Sequence, residues 1–161
     1  NSKYPKKVGL VIVGSGLEEV ALKEQVKKLG IEHDVLFVAW ADNLVSYYNT
    51  SDLFWMNSRF EGYGLTIAEA LISGTPVLTS DVGVAPEIIV EGRNGWICPP
   101  IDKVCFSKKI DLILQEPKVY SDVKKYMSEN PYTHNYADRF EYDKVLLRNM
   151  ENSLDIKEKQ N

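Results

Sequence analysis

The chain reads as an α/β protein, an open parallel sheet flanked by helices. Three observations predict this. Short apolar runs alternate with stretches of helical period, the pattern of consecutive βα units. The first run, Val8 to Val13, is continuously apolar, as expected of a strand covered on both faces. The segment Glu61-Gly62-Tyr63-Gly64-Leu65-Thr66-Ile67-Ala68-Glu69 places a glycine turn directly before a pattern of helical period.

The elements follow in order. The strand at 8–13 leads into a helix over 18–29, with Leu22, Val26 and Leu29 on one face and Gly30 as its stop. A second strand spans 35–38. A short helix over 42–49 follows, with Asp42 as its cap. The third strand covers 53–56. The next helix opens after Gly64 and carries Leu65, Ala68, Leu71 and Ile72. Ser73-Gly74-Thr75-Pro76 ends it, with Gly74 suited to a left-handed cap and Pro76 unable to continue. A buried fourth strand at 77–79 precedes a turn and short helix over 81–89. Gly92-Arg93-Asn94-Gly95 turns tightly into a fifth strand at 96–98. Pro99-Pro100 breaks the chain, and Asp102 caps a helix whose inward face is Phe106, Ile110, Ile113 and Leu114. Pro117 is expected to end that helix. Further helices are expected over 119–128 and 135–154, the last with Tyr136, Phe140, Leu147 and Met150 inward. Residues 155–161 are polar and expected to fray. This order gives a Rossmann-like open sheet in a single domain over 1–161. Its ligands are expected beyond the carboxyl ends of the strands, at the loops near Gly14, Ala39, 57–64 and Asp81.

Composition narrows the function. The 161 residues carry 19 basic and 23 acidic side chains, a net charge of −4. No basic stripe is present, which argues against a nucleic-acid partner. The longest apolar run is too short to span a bilayer, and no signal peptide is read. A cytoplasmic protein is expected. Cys98 and Cys105 have no histidine near them, so no metal site is read. They are expected to be free, buried thiols in a reducing compartment. His33 and His134 are isolated and are not assigned to chemistry.

The segment 61–69 carries the functional argument. Gly62 and Gly64 permit φ > 0 and close approach of a ligand to the backbone. The N–H groups at the helix start favour an anion. Glu61 on the loop and Glu69 in the helix can each accept hydroxyl protons. Glu69 is expected to face a ligand rather than the core. A nucleoside-diphosphate sugar has a diphosphate, a ribose diol and sugar hydroxyls, and fits this set. Gly62, Tyr63, Gly64 and Leu65 would act through backbone N–H groups. Tyr63 either packs or contacts ligand, and Thr66 is expected to cap the helix rather than reach a phosphate. Gly14 and Gly16 form a Gly-x-Gly loop after the first strand, which serves as a plain βα turn or a ligand loop.

Residues 58 to about 102, with the strands at 10–16, 35–40 and 51–54, resemble the C-terminal domain of GT-B glycosyltransferases, especially retaining family 4. The recurring features are the Glu-Gly-Tyr-Gly turn, the second Glu eight positions on, Ser73-Gly74-Thr75-Pro76-Val77 and the Asn94-Gly95 turn. The resemblance implies the donor-binding half of a sugar transferase, with the acceptor domain outside this chain. It implies Glu69 on the ribose hydroxyls, Glu61 beside the donor sugar, and Trp40 and Ala41 near the nucleobase. It further implies metal independence, no cofactor beyond the nucleotide-sugar substrate, and an acceptor sugar or lipid-linked glycan held by the other domain. Peripheral membrane contact of the whole enzyme is compatible with it. The family's upstream Arg and Lys, which clamp the diphosphate, have no match at Lys6 or Lys7. Rival readings are a non-catalytic nucleotide-sugar module and a GT-B-type nucleotide-sugar epimerase.

Overall fold

A computed structural model describes residues 8–133. The expected helix over 135–154 and the tail over 155–161 lie outside the described residues. The chain divides into two compact units with the boundary between Leu44 and Val45.

The first unit is one βα unit closed by a second strand. β1 (Leu10–Val13) leads to α1 (Glu19–Leu29), then a short 3-10 turn and β2 (Val35–Val38). The strands pair in parallel, from Leu10 against Val35 to Val13 against Val38. Gly30 ends α1 in the left-handed conformation at φ 66°, as the sequence predicts. β1 departs from expectation: Leu10, Val11 and Val13 are 39%, 44% and 37% exposed. The reason is local, since α1 buries none of its own residues and so covers little of the strand.

The second unit holds the core. Its order is α2 (Leu44–Thr50), β3 (Phe54–Met56), α3 (Leu65–Ile72), β4 (Val77–Ser80), α4 (Ala85–Ile88), β5 (Gly95–Cys98), α5 (Lys103–Gln115) and α6 (Pro117–Glu129). β4 is central, pairing in parallel with β3 and with β5, and all four of its residues are buried. Ile67, Leu71, Val77, Leu78 and Trp96 are almost wholly enclosed around it. Five strands were expected in one open sheet, but they form two parallel sheets, one per unit. Among the described residues β1 and β3 each pair along a single edge.

Local differences have local causes. α2 starts two residues later than expected because the Asp42 carboxylate accepts from Trp40 Nε1 at 2.9 Å. Asp102 does cap α5, accepting from the Val104 and Cys105 amides at 3.0 Å each. Pro117 opens α6 rather than merely closing α5, since a proline at the first helical position gives up no hydrogen bond.

The cysteines require a correction. Cys98 and Cys105 are joined as a disulfide, with Cα atoms 5.7 Å apart, rather than left as free thiols. The Pro99-Pro100 break folds the chain back so that the first turn of α5 meets the end of β5. Ile101 adopts φ 70° within that return. Disulfides persist in oxidising surroundings, so the pairing gives no support to a reducing compartment.

Candidate functional site

The motif segment lies in the second unit, at the carboxyl end of β3. Chain leaving Met56 forms a loop, and Gly64 at φ 88°, ψ 47° turns it into α3. A Cβ at Gly64 would meet Ile67 Cδ1 at 3.1 Å. Glycine is therefore favoured here by conformation, and the Ile67 side chain would have to yield slightly to any larger residue. Gly62 differs from expectation: its φ is not positive, and nothing lies within 4 Å of a Cβ built there.

The start of α3 carries no side-chain cap and no acidic residue in its first turn. The Ile67 N–H already donates to the Gly64 carbonyl at 3.0 Å, and the amides ahead of it carry the partial positive charge of the helix start. Two longer helices differ. α1 begins at Glu18 and Glu19, whose charges oppose an anion, and α5 is capped by Asp102. Thr66 does not cap α3 as expected. Its hydroxyl donates to Met56 Sδ at 3.5 Å and ties the helix to β3.

The two carboxylates stand in different surroundings. Glu61 is half-buried on the loop, and its Oε1 accepts the Ser58 hydroxyl at 2.6 Å. Glu69 is only 7% exposed, and its Oε2 accepts the Tyr48 hydroxyl at 2.9 Å. Glu69 is more enclosed than expected of a ligand-facing side chain: it lies on α3 between Ala68 and Ala70, all three buried. Tyr63 stays at the surface, 36% exposed, and Leu65 is 45% exposed.

A second loop closes on the motif. Gly83, at φ 56°, approaches so closely that a Cβ there would lie 2.8 Å from the Tyr63 carbonyl carbon and 3.2 Å from Glu61 Cβ. The next amide, Val84 N–H, donates to the Tyr63 carbonyl at 2.7 Å. The loop after β4 thus fixes the turn before α3. Ser80 ends β4 with a buried hydroxyl that has no hydrogen-bond partner. Sequence reading missed Tyr48, Ser58 and the role of Gly83. Only the Asp81-Val82-Gly83 turn signal hinted at the last.

The remaining expected residues lie in the first unit. Gly14, at φ 128°, ends β1 and donates to the Val38 carbonyl at 2.8 Å, while the Gly16 carbonyl accepts from Glu19 N–H at 3.1 Å. Both glycines line a cavity of about 250 Å³ with Ile12, Leu22 and Phe37. Trp40 is 80% exposed, and Ala41 is half-buried beside it.

A cavity of about 470 Å³ in the second unit is lined by Ile88, Asn94, Tyr126 and Met127 among others, and by none of the motif residues. Size alone would favour it. The start of α3 is the better candidate because donors and acceptors converge there. Among the described residues no group of three or more His, Cys, Asp or Glu is placed to hold a metal ion. No described helix is long and apolar enough to cross a membrane.

Parallel βα units with a glycine turn at the carboxyl end of β3 define a Rossmann-like α/β architecture. The family model for glycosyl transferases group 1 matches residues 2–130, and the chain belongs to that family. It is 34% identical over 132 residues to an uncharacterized glycosyltransferase of Haemophilus influenzae, covering 80% of this chain and 37% of that protein. The C-terminal domain of the group 1 glycosyl transferase LpcC of Francisella tularensis superposes with a TM-score of 0.67 at 24% identity, over 82% of this chain and 73% of that one. Anabaena HepE, solved with UDP and glucose, gives 0.64 at 25% identity over 80% of this chain and 38% of its own. These neighbours are GT-B glycosyltransferases, and the fold is theirs. The chain spans little more than a third of the curated relatives' length.

Proposed function

We propose that this chain is the donor-binding part of a retaining, family-4-like glycosyltransferase, which moves a sugar from a nucleoside diphosphate to an acceptor. The observation that carries the reading is the uncapped start of α3, set by Gly64 between Glu61 and Glu69. The reading rests on the second unit alone.

Each group has a separate task. The 62–65 turn and the first amides of α3 hold the diphosphate, with the helix dipole favouring its charge. Glu69 accepts from the ribose hydroxyls by charge-assisted bonds. Glu61 lies at the donor sugar, where it accepts hydroxyls and offsets positive charge developing at the anomeric carbon. Ser58 restrains Glu61 for that role. The acceptor, a sugar or lipid-linked glycan, binds to a second domain outside this chain. Two domains closing over the cleft bring nucleophile and donor into reacting geometry, which can contribute about 7–11 kcal/mol of barrier reduction.

Calorimetric titration with UDP, GDP and ADP tests this. One of them should bind saturably, with an affinity of roughly millimolar order, because the chain's net charge of −4 gives no long-range attraction. No heat with any of the three, or equal binding by Glu69→Gln, would overturn the reading.

A further inference from the structure

We infer that Tyr48 is a positioning residue for Glu69: its hydroxyl sets the orientation in which the Glu69 carboxylate meets a ribose diol. The inference rests on the proposed role of Glu69.

Several contacts hold Tyr48, among them the Ser51 N–H donating to its carbonyl at 3.1 Å, and one connects it to the carboxylate. Its hydroxyl donates to Glu69 Oε2 at 2.9 Å. Its ring stands edge-on to Phe54, with centroids 5.4 Å apart and planes at 87°. Its carbonyl accepts the Thr75 hydroxyl at 2.7 Å. Tyr48 is 5% exposed and Thr75 2%, so neither side chain has freedom to turn away. The ring, the backbone and the hydroxyl are thus held by β3, by the α3–β4 turn and by α3.

A glutamate has three side-chain torsions, and its terminal torsion is broad. Packing around α3 restrains the first two. A directed hydrogen bond to one oxygen narrows the range of planes the carboxylate can take. That plane decides whether two adjacent hydroxyls can donate to it at once. Tyr48 comes from α2, 21 residues before Glu69. It belongs to a different element from the motif, and it needs no ligand contact to act.

The readout is discrimination between a ribose and a deoxyribose. The probe is whichever of UDP, GDP and ADP binds best, compared with its 2′-deoxy counterpart by NMR titration of the whole chain. Wild type should favour the ribonucleotide. Tyr48→Phe should lower that preference about three- to tenfold, part of the value of one hydrogen bond to a charged acceptor. In a Glu69→Gln background the same change should have no further effect on the preference. A general loss of structure would weaken both nucleotides equally and leave their ratio unmoved. If Tyr48→Phe does not fold, Thr75→Val serves instead: it removes one hydrogen bond to the Tyr48 carbonyl while the Ser51 N–H keeps another at 3.1 Å, and it should move the ratio the same way by a smaller factor. An unchanged ratio in the variant that folds overturns the inference, while a ratio lowered by Glu69→Gln alone leaves the proposed function standing. Equal binding of the two nucleotides by wild type would overturn both.

Discussion

Replacing Gly83 with alanine should destabilise the second unit and displace the motif turn. Two costs are readable from the structure. A non-glycine residue at φ 56° loses about 1–2 kcal/mol to the left-handed conformation. The new methyl would sit 2.8 Å from the Tyr63 carbonyl carbon, closer than carbon atoms approach without repulsion. Backbone on both sides prevents a side chain from yielding, so the loop must move by roughly an ångström. That movement strains the 2.7 Å bond from Val84 N–H to the Tyr63 carbonyl, worth about 0.5–1.5 kcal/mol. Together the loss should be about 1.5–3.5 kcal/mol. The assay is urea unfolding of Gly83→Ala beside Gly62→Ala. The second is the control, because its φ is not positive and a Cβ there meets nothing within 4 Å. It should stay within about 0.5 kcal/mol of wild type. A Gly83→Ala chain as stable as Gly62→Ala would refute the claim that the loop after β4 is locked onto the motif.

Other outcomes follow from the same geometry. Glu69→Gln should weaken nucleotide binding about 10- to 100-fold, the value of hydrogen bonds to a charged acceptor. Its unfolding midpoint should change little, since the amide oxygen can still accept from Tyr48. Ser80→Ala should raise stability by about 1 kcal/mol, because the hydroxyl is buried without a partner and that burial is costly; an unfolding curve reads it. Reducing the bond between Cys98 and Cys105, seven positions apart, should cost about 2–3 kcal/mol in loop-closure entropy. Denaturation with and without reductant measures this. The purified 161-residue chain should transfer no sugar to an acceptor, with slow donor hydrolysis at most, as a radiolabel assay would show.

Much of the fold is legible in the sequence because the signals are local. Continuous apolar runs mark β1, β2, β4 and β5 to within a residue or two. Gly30, Gly74 and Asp102 punctuate their helices as their chemistry dictates. The glycine turn, the helix start and the Glu61–Glu69 spacing together point to the turn before α3 as the candidate site. What the sequence hides depends on contacts between distant positions. Tyr48 and Glu69 are 21 residues apart, and Gly83 meets the backbone of Tyr63, so no local pattern reveals either. Glu69 reads as a ligand-facing acid on a helix, yet its burial follows from how α3 packs. The disulfide escapes a sequence reading because Pro99-Pro100 signals a break without revealing the direction of the return. β1 reads as a doubly covered strand from its composition, whereas coverage depends on what packs against it.

Residue-resolved NMR during nucleotide titration locates the ligand on the chain. With UDP, GDP or ADP added to millimolar concentration, the largest amide shifts should fall on Gly62, Tyr63, Gly64 and Leu65. They should saturate together and shrink in Glu69→Gln. Largest shifts at Glu18 and Glu19, around the cavity beside Tyr126, or nowhere in the second unit would contradict the account.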